Sequence, residues 1–302
     1  MKKIIFSYLH YMGWGDSLIS LFDIINCAEY IKTNHSDIEI TLVVNDCSSK
    51  NISDIFPQVF DINFFNSFFD KFIIQEKQFH QFTTNNKCEL DNISYNRVYS
   101  GRNYDMTPNV PGIFDVFVND DFNEEFKTLD IPFTKFTFND DGSSIIKDFP
   151  IFNKNVLDIV DEYINKELVN GFKSIHYRIS DTPSPNNFEK LQEIKKILKD
   201  KLSQEDTHFL LTNHGIPKKE LMSVIPNCKL FLDSSNHKDE MINGYNMSNR
   251  TVISDPVISM VELLIISRGD YIYTYGDYPW ISYFTFYARN VKRVKHKFIE
   301  GL

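Results

Sequence analysis

One arginine of this 302-residue chain is placed to bind an anion. It is Arg178, which ends the apolar strand predicted for residues 174–178 and precedes a loop that carries Asp181. An arginine at the carboxyl end of a strand can hold a phosphate through two hydrogen bonds, and it keeps its charge when desolvated. The same residues fit an Arg178–Asp181 ion pair that closes the turn. His176, on the same predicted face as Arg178, fits either a ligand contact or a buried core histidine.

A glycine-rich turn follows the first predicted strand. Gly13 and Gly15 flank Trp14, and Asp16 and Ser17 come directly before a helical pattern. Glycines let backbone amides approach a ligand closely, and the start of a helix attracts anions. A simple helix cap by Asp16 or Ser17 fits equally well. The glycine spacing matches neither the P-loop nor the dinucleotide fingerprint.

A third candidate lies in a tyrosine-rich segment near the carboxyl end of the sequence. Residues 270–284 predict a strand ending at Tyr275, a turn, and the start of a helix that carries Ser282 and Tyr283. Ser282 and nearby amides could receive a phosphate at that helix start, and Tyr275 could stack on a base. A capped helix with buried aromatic rings fits the same residues.

Alternating strands and helices must position these three segments. Strands at 3–9 and 38–44 enclose a helix at 17–33, and such a unit implies a parallel sheet covered by helices. Residues 56–82 contain nine Phe, and their pattern does not indicate whether they form a helix or a strand. Phe rings that fill a core are favoured here over an aromatic platform for a ligand. Residues 86–150 are rich in turn signals and predict mainly loops.

Regular alternation resumes in the second half. We therefore predict an α/β protein of two Rossmann-like domains, an N-terminal domain at 1–165 and a C-terminal one at 166–302, with a cleft between the carboxyl ends of their sheets, where doubly wound folds bind ligands. The predicted strands of the second half are 174–178, 208–212, 229–232 and 271–275, and its helices are 155–168, 187–202, from 218, 256–267 and 280–289.

Composition and charge exclude several classes of protein. With 42% hydrophobic and 24% charged residues the chain is globular, and a formal net charge of -9 opposes nonspecific binding to nucleic acid or to an anionic membrane. The four cysteines form no CxxC pair, so we interpret them as reduced thiols of a cytoplasmic protein. No signal peptide or membrane span is predicted, and oligomeric state is not encoded in any pattern we recognise.

The sequence also lacks an Asp-x-Asp triplet, by which many sugar transferases hold a divalent ion on a nucleotide diphosphate. If a diphosphate binds, arginine and helix starts must neutralise it, so we expect no metal and no other cofactor. A nucleophile elbow, an HExxH motif and the kinase motif set are absent from the sequence as well.

Three segments, in this order and spacing, resemble the α-1,6-fucosyltransferase and nodulation fucosyltransferase family, with protein O-fucosyltransferases as more distant relatives. They are GWGDSLISL after the first strand, IHYRISD on the first strand of the second domain, and SRGDYIYTYGDYPWISYFTFYAR near the end. The resemblance implies a two-domain, metal-independent glycosyltransferase fold of the GT-B type. It also implies that the C-terminal domain holds GDP-fucose and that transfer inverts the sugar carbon.

The resemblance assigns roles in donor binding. Arg178 would contact the β-phosphate, and His176 would lie beside the donor. Ser282 and Tyr283 would supply phosphate contacts at a helix start. The segment from Gly13 through Gly15 to Asp16 would close the donor site from the N-terminal side.

The catalytic assignment rests on fewer matches. Asp181 would approach the sugar or the acceptor. Relatives carry an acidic residue where this chain has Asn213 at a strand end, and a second arginine where it has Ile179. The glutamate that acts as base in some relatives aligns near Asn186, which leaves Glu189 as the nearest carboxylate.

The leading hypothesis is transfer of fucose, or a similar sugar, from its GDP donor to a hydroxyl of a glycan acceptor. Within the enzyme class the runner-up is a transferase for another nucleotide sugar, such as a heptose donor. Two hypotheses lie outside that class: a protein that binds a nucleotide sugar without catalysis, and a structural α/β protein whose motifs are only caps and core. Residues 50–165 match nothing in the family, so the acceptor is not predicted.

Overall fold

The computed structural model of the chain describes residues 2–9, single helical positions between 18 and 33, and residues 36–45, 52–75, 88–90, 93–95, 98–100, 151–177, 185–212, 215–231, 240–242, 245–247, 256–275 and 295–298. The chain divides into two compact units, Met1–Asn153 and Lys154–Leu302. Along the described residues, no helix is both long and apolar enough to cross a membrane.

The first unit is built on a parallel sheet in the order β3-β2-β1-β6. Strand β1 spans Lys2–Leu9, β2 spans Ile38–Asn45, β3 spans Lys71–Gln75 and β6 spans Val98–Ser100. The described helical positions between 18 and 33, here called α1, connect β1 to β2. Five consecutive residues of β2, from Ile40 to Val44, are buried, as expected for a parallel strand covered on both faces.

The phenylalanine-rich region forms two short helices and a strand. Helix α2 spans Ile52–Val59, α3 spans Ile62–Phe68, and β3 follows at once. Phe56 is fully buried, with its ring 4.5 Å from that of Phe60 and 5.1 Å from that of Phe65. The prediction that these rings fill a core is confirmed for the described rings, whose close edge and tilted contacts add to the stability that burial supplies. Phe79 and Phe82 lie outside the described residues.

Residues 86–150 are described only in part. Strand β4 at Cys88–Leu90 and β5 at Ile93–Tyr95 form an antiparallel pair, and β6 follows them. The segment 151–153 returns to the first unit, where the Phe152 ring stacks 5.9 Å from that of Phe60 and the Asn153 N–H donates to the Val59 carbonyl.

The second unit is a five-stranded parallel sheet in the order β13-β12-β7-β8-β9. Its strands are β7 at Lys173–Tyr177, β8 at His208–Thr212, β9 at Cys228–Lys229, β12 at Tyr271–Tyr275 and β13 at Lys295–Phe298. Its helices are α4 at Lys154–Glu167, α5 at Pro185–Lys201, α6 at Gly215–Met222 and α7 at Pro256–Ser267. A small antiparallel pair, β10 at Glu240–Ile242 and β11 at Tyr245–Met247, lies between β9 and α7 in the chain.

Helices cover both faces of this sheet. On one face, Leu191 and Ile194 of α5 and Leu221 of α6 share a buried core with Ile175 and Leu210. On the other, α4 packs against α7, and α7 contacts β7 and β8. The predicted α/β class, with a parallel sheet in each half of the chain, is therefore confirmed.

The division between the units falls between Asn153 and Lys154, whereas the sequence placed it between residues 165 and 166. Residue 165 lies inside α4. Because α4 packs against α7, the whole helix belongs to the second unit. The helical pattern alone could not show which sheet this helix covers.

Candidate functional site

The second unit has a topological switch point between β7 and β12. From β7 the chain runs through α5, β8, α6 and β9 toward one edge of the sheet, and β12 and β13 lie on the other side of β7. Ligands of open α/β sheets bind beyond the carboxyl ends of the two strands that flank such a point. The topology alone therefore locates a candidate site after Tyr177 and Tyr275.

The strand register brings three strand ends together at this edge. Tyr177 is the last residue of β7, and it pairs with Tyr275, the last residue of β12, and with Thr212, the last residue of β8. The next residues in the chain are Arg178 after β7 and Asn213 after β8. Two of the predicted donor-binding residues thus directly follow described strand ends, and a third, Tyr275, is itself one.

The strand that leads to Arg178 is firmly held. Tyr177 is only 1% exposed and belongs to the buried core formed with Ile175, Leu191 and Leu210. A fully buried tyrosine loses much of its conformational freedom, so the position of the backbone at the end of β7 is well defined. A side chain that must meet a phosphate at a fixed distance needs such an anchor.

His176 precedes this anchor and is buried, with 4% of its surface exposed. Its strand neighbours in register are Leu211 of β8 and Thr274 of β12. Side chains alternate along a strand, so His176 lies on the face that carries Ser174, opposite the face of Tyr177. This placement fits both roles expected for His176, and its position one residue before the strand end puts it at the candidate site.

The start of β7 is fixed to α7 by a side chain. The Ser174 hydroxyl donates a 2.8 Å hydrogen bond to the carbonyl of Ile266 in the last turn of α7. Gly269, in the turn after that helix, packs against Ser174 so closely that a Cβ there would lie 3.1 Å from the Ser174 backbone nitrogen and closer still to its hydroxyl. This contact joins β7 to the end of α7 and to the turn that leads into β12.

Glu189 is exposed on α5, five residues into the helix counted from Pro185. Because α5 follows β7 and leads to the parallel strand β8, the helix begins toward the carboxyl edge of the sheet and ends toward the amino edge. An exposed carboxylate near that edge is accessible to a ligand from solvent.

The ion pairs with resolved pKa shifts lie on other parts of the unit. Asp206 pairs with Lys173 at the amino edge of the sheet, and its hydrogen bond raises the pKa of that lysine. Lys195 of α5 pairs with Glu220 of α6 and lowers the pKa of that carboxyl through a side-chain hydrogen bond. The first pair links β7 to the turn before β8, and the second links α5 to α6. Neither of these two pairs lies at the carboxyl ends of the strands.

Two solved structures share this fold along nearly the whole chain. One is the crystal structure of NodZ alpha-1,6-fucosyltransferase co-crystallised with GDP, with a TM-score of 0.50 and 12% identity over 96% of this chain and 92% of that chain. The other is fucosyltransferase NodZ from Bradyrhizobium, with a TM-score of 0.50 and 13% identity over 96% and 93%. The chain has the fold of NodZ. No protein-family profile matches the sequence, and no curated protein sequence matches it significantly.

The similarity to NodZ confirms, at the level of the fold, the resemblance indicated by the three sequence motifs. At these identities it shows architecture alone, so the roles of individual residues remain predictions. The described residues add one fact that does not depend on NodZ: the second and third motifs each contain a strand end at the switch point.

The first unit shows the same relationship. Strand β1 lies between β2 and β6, so its switch point is beside the end of β1 at Leu9. The glycine-rich turn that carries Gly13, Gly15 and Asp16 follows this strand end in the sequence. The first motif therefore also follows the strand at which an open α/β sheet binds ligands.

The described residues include His176, Glu189 and the backbone of Tyr275. The remaining predicted site residues lie outside them, namely Gly13, Gly15, Asp16, Arg178, Asp181, Asn213, Ser282 and Tyr283. One residue at the edge was not predicted. It is Thr212, whose hydroxyl is buried and has no hydrogen-bond partner among the described residues. Its only sequence signal was a polar residue at the end of an apolar strand.

Proposed function

We propose that the chain is an inverting glycosyltransferase that moves fucose, or a similar sugar, from GDP-fucose to a hydroxyl group of a carbohydrate. The observation that carries the proposal is the switch point of the second unit. There the strand ends Tyr177 and Tyr275 lie side by side, and Arg178 follows the first of them. The fold shared with NodZ alpha-1,6-fucosyltransferase, whose structure was determined with GDP, supports this choice of donor.

Arg178 carries the central role in this proposal. When the bond between the sugar and the β-phosphate breaks, negative charge accumulates on the departing GDP. A guanidinium that donates two hydrogen bonds stabilises that charge most in the transition state, and this difference accelerates the reaction. His176 lies beside the donor, while Ser282 and Tyr283 give phosphate contacts at a helix start. Tyr275 stacks on the base, and Asn213 contacts the donor from the end of β8.

Inversion needs a group that removes the proton from the acceptor hydroxyl as it attacks the sugar carbon. We assign this role to a carboxylate, Glu189 or Asp181. Glu189 is exposed near the start of α5, where an acceptor can reach it. Asp181 lies three residues after Arg178 in the sequence and would approach the sugar or the acceptor.

We also propose that the reaction needs no metal ion. The sequence contains no Asp-x-Asp triplet to hold one on the diphosphate, and Arg178 with the amides of helix starts can neutralise that group instead. The partners are then a nucleotide sugar and a glycan acceptor. Four cysteines without a paired motif support a location in the cytoplasm.

A second candidate is a protein that binds a nucleotide sugar without transferring the sugar. Two substitutions favour it, since asparagine stands at positions 186 and 213, where catalytic relatives have acidic residues. It predicts GDP binding with no release of GDP from any donor. A transferase for another donor, such as a nucleotide-linked heptose, predicts turnover of that donor alone.

A panel of donors separates these proposals. GDP-fucose, GDP-mannose, UDP-glucose, ADP-heptose and GDP are each added to the protein, and both thermal stability and release of the nucleotide are measured, with Mg2+ or EDTA. A ligand at 100 times its dissociation constant adds about 2.7 kcal/mol to the free energy of unfolding, which a thermal shift detects. We expect GDP and GDP-fucose to stabilise the protein, and GDP release from GDP-fucose that EDTA does not reduce. Stabilisation by none of the nucleotides would contradict the proposal.

A further inference from the structure

The hydroxyl of Thr212 at the carboxyl edge of the second sheet is buried and unpaired. Its Oγ1 atom has no hydrogen-bond partner among the residues that the structure describes, although the residue as a whole is half-buried. A buried hydroxyl without a partner costs about as much free energy as a lost hydrogen bond, so most such groups in folded proteins are paired. A side chain that the fold leaves unpaired at a strand end is suited to bind a ligand.

The position of Thr212 agrees with this role. It pairs in register with Tyr177, whose next residue is Arg178. Leu210 lies in the core shared with α5 and α6, and Thr212 is two residues further along the same strand, so its side chain is on that face. Strand β8 is the second strand of a β-α-β unit that starts at the switch point. In dinucleotide-binding folds, the carboxyl end of the second strand of such a unit contacts the ribose of the bound nucleotide, close to its phosphates.

The chemistry of the side chain limits what it can bind. A threonine hydroxyl has one donor and two acceptor sites, so it can donate to a phosphate oxygen or exchange hydrogen bonds with a ribose hydroxyl. Both groups belong to the nucleoside diphosphate. An apolar ligand would leave this hydroxyl unpaired.

We propose that Thr212 Oγ1 hydrogen-bonds an oxygen of the GDP moiety and so helps to hold the nucleotide at the end of β8. This assignment rests on the proposed function, because it needs a GDP-sugar as the ligand of this edge. It adds a residue that neither the sequence motifs nor the resemblance singled out. The contact is to the nucleotide and not to the transferred sugar, so it concerns both substrate and product.

The test replaces Thr212 with valine, which has the same shape but no hydroxyl, and with serine, which keeps the hydroxyl. Titration calorimetry measures the Kd for GDP and for GDP-fucose, and scanning calorimetry measures the Tm of the free protein. We expect Thr212→Val to raise the Kd for both ligands about tenfold. Thr212→Ser should bind both with Kd values within about twofold of those of the original chain. The Tm of the free Thr212→Val protein should be unchanged or higher, because the variant removes an unpaired buried hydroxyl.

Thr207→Val is the matched control. Thr207 is also half-buried and precedes β8 at the opposite edge of the sheet, so its substitution should leave both Kd values unchanged. A lower Tm for Thr212→Val, whatever its affinity, would show that the hydroxyl has a protein partner and would overturn the assignment. Unchanged affinity, or a loss confined to GDP-fucose, would overturn it as well. Absence of GDP binding by the original chain would instead refute the proposed function, and the assignment with it.

Discussion

The hydroxyl of Ser174 donates a 2.8 Å hydrogen bond to the carbonyl of Ile266 and thereby joins β7 to the last turn of α7. Both residues are buried, with Ser174 and Ile266 each 0% exposed. This hydrogen bond is costly to break, because the buried Ser174 hydroxyl would be left without water or another partner to replace the carbonyl. Two residues that are 92 apart in the chain thus fix the two elements that lead to the candidate site.

Gly269→Ala should destabilise the second unit. The added Cβ would meet the Ser174 hydroxyl inside van der Waals distance and the Ser174 backbone nitrogen at 3.1 Å, so the packing of β7 against α7 must shift. We expect a loss of about 1–3 kcal/mol in the free energy of unfolding, measured by urea titration.

The control for this prediction is a double-mutant cycle with Ser174→Ala. The serine variant removes the atom that the new Cβ meets first, so Gly269→Ala should cost less in that background, by about 1 kcal/mol. Equal costs in both backgrounds would show that Ser174 is not what excludes a side chain at residue 269.

His208 should make the stability of the protein depend on pH. The residue is fully buried. Its Nδ1 lies 2.8 Å from the Pro226 carbonyl oxygen, and because that oxygen can only accept, Nδ1 donates the hydrogen bond. Its Nε2 has no hydrogen-bond partner among the described residues. Burial lowers the pKa of His208 below its ordinary value, and nearby Lys173 acts in the same direction. The Pro226 carbonyl and the Asp206 carboxylate oppose the shift.

The sign of the effect follows from the lowered pKa. Below about pH 6.5 the unfolded chain binds a proton at this histidine that the folded chain does not, so the free energy of unfolding falls as the pH falls from 7 toward the folded-state pKa. The contribution of this group is at most about 1.4 kcal/mol per pH unit. Urea titrations at pH 7, 6 and 5 should show a steeper loss for the original chain than for His208→Asn. Identical slopes would show that His208 does not titrate differently on folding.

Glu189→Gln should reduce turnover without weakening the binding of the donor. The substitution keeps the shape of the side chain and removes its ability to take a proton, and loss of a general base costs about 10²–10⁴ in rate. We expect kcat to fall by at least about 10²-fold, with the Kd for GDP-fucose unchanged. Glu193→Gln, on the next turn of the same helix and also exposed, is the matched control. Undiminished turnover in Glu189→Gln would assign the base to Asp181 instead.

The regular elements of the second unit could largely be predicted from the sequence. The strands His208–Thr212 and Tyr271–Tyr275 and the helix Pro256–Ser267 match their predicted bounds, because each is an apolar run limited by turn signals. Strand β9 is two residues long and lies one residue earlier than predicted. Its predicted length rested partly on Leu230 and Phe231, which do not pair with β8.

The phenylalanine-rich region could not be assigned from its sequence. Apolar residues occur there at almost every position, so neither the helical nor the strand period stands out. Two local features divide it: Asp61 caps α3 by accepting a hydrogen bond from the Asn63 N–H, and Asp70 accepts one from the Ile40 N–H as β3 begins. The second of these joins residues that are 30 apart, which a local pattern does not reveal.

For the site, the sequence indicated which residues follow strand ends but not which strand ends are neighbours. The pairing of Tyr177 with both Thr212 and Tyr275 is set by the order of the sheet, and that order depends on contacts between distant parts of the chain. The sequence therefore singled out Arg178 and Tyr275 by type and spacing, whereas Thr212 became a candidate only when its neighbours and its unpaired hydroxyl were seen.

The most direct test of the central claim is the release of GDP from GDP-fucose by the original chain and by Arg178→Ala. Arg268→Ala is the matched control. Arg268, in the turn after α7, pairs with Asp161 of α4, and loss of such a partly exposed ion pair lowers the free energy of unfolding only slightly. We expect turnover by the original chain and by Arg268→Ala, and a loss of about 10³-fold in Arg178→Ala with the fold intact by circular dichroism. Turnover by Arg178→Ala at the original rate would contradict the role proposed for Arg178.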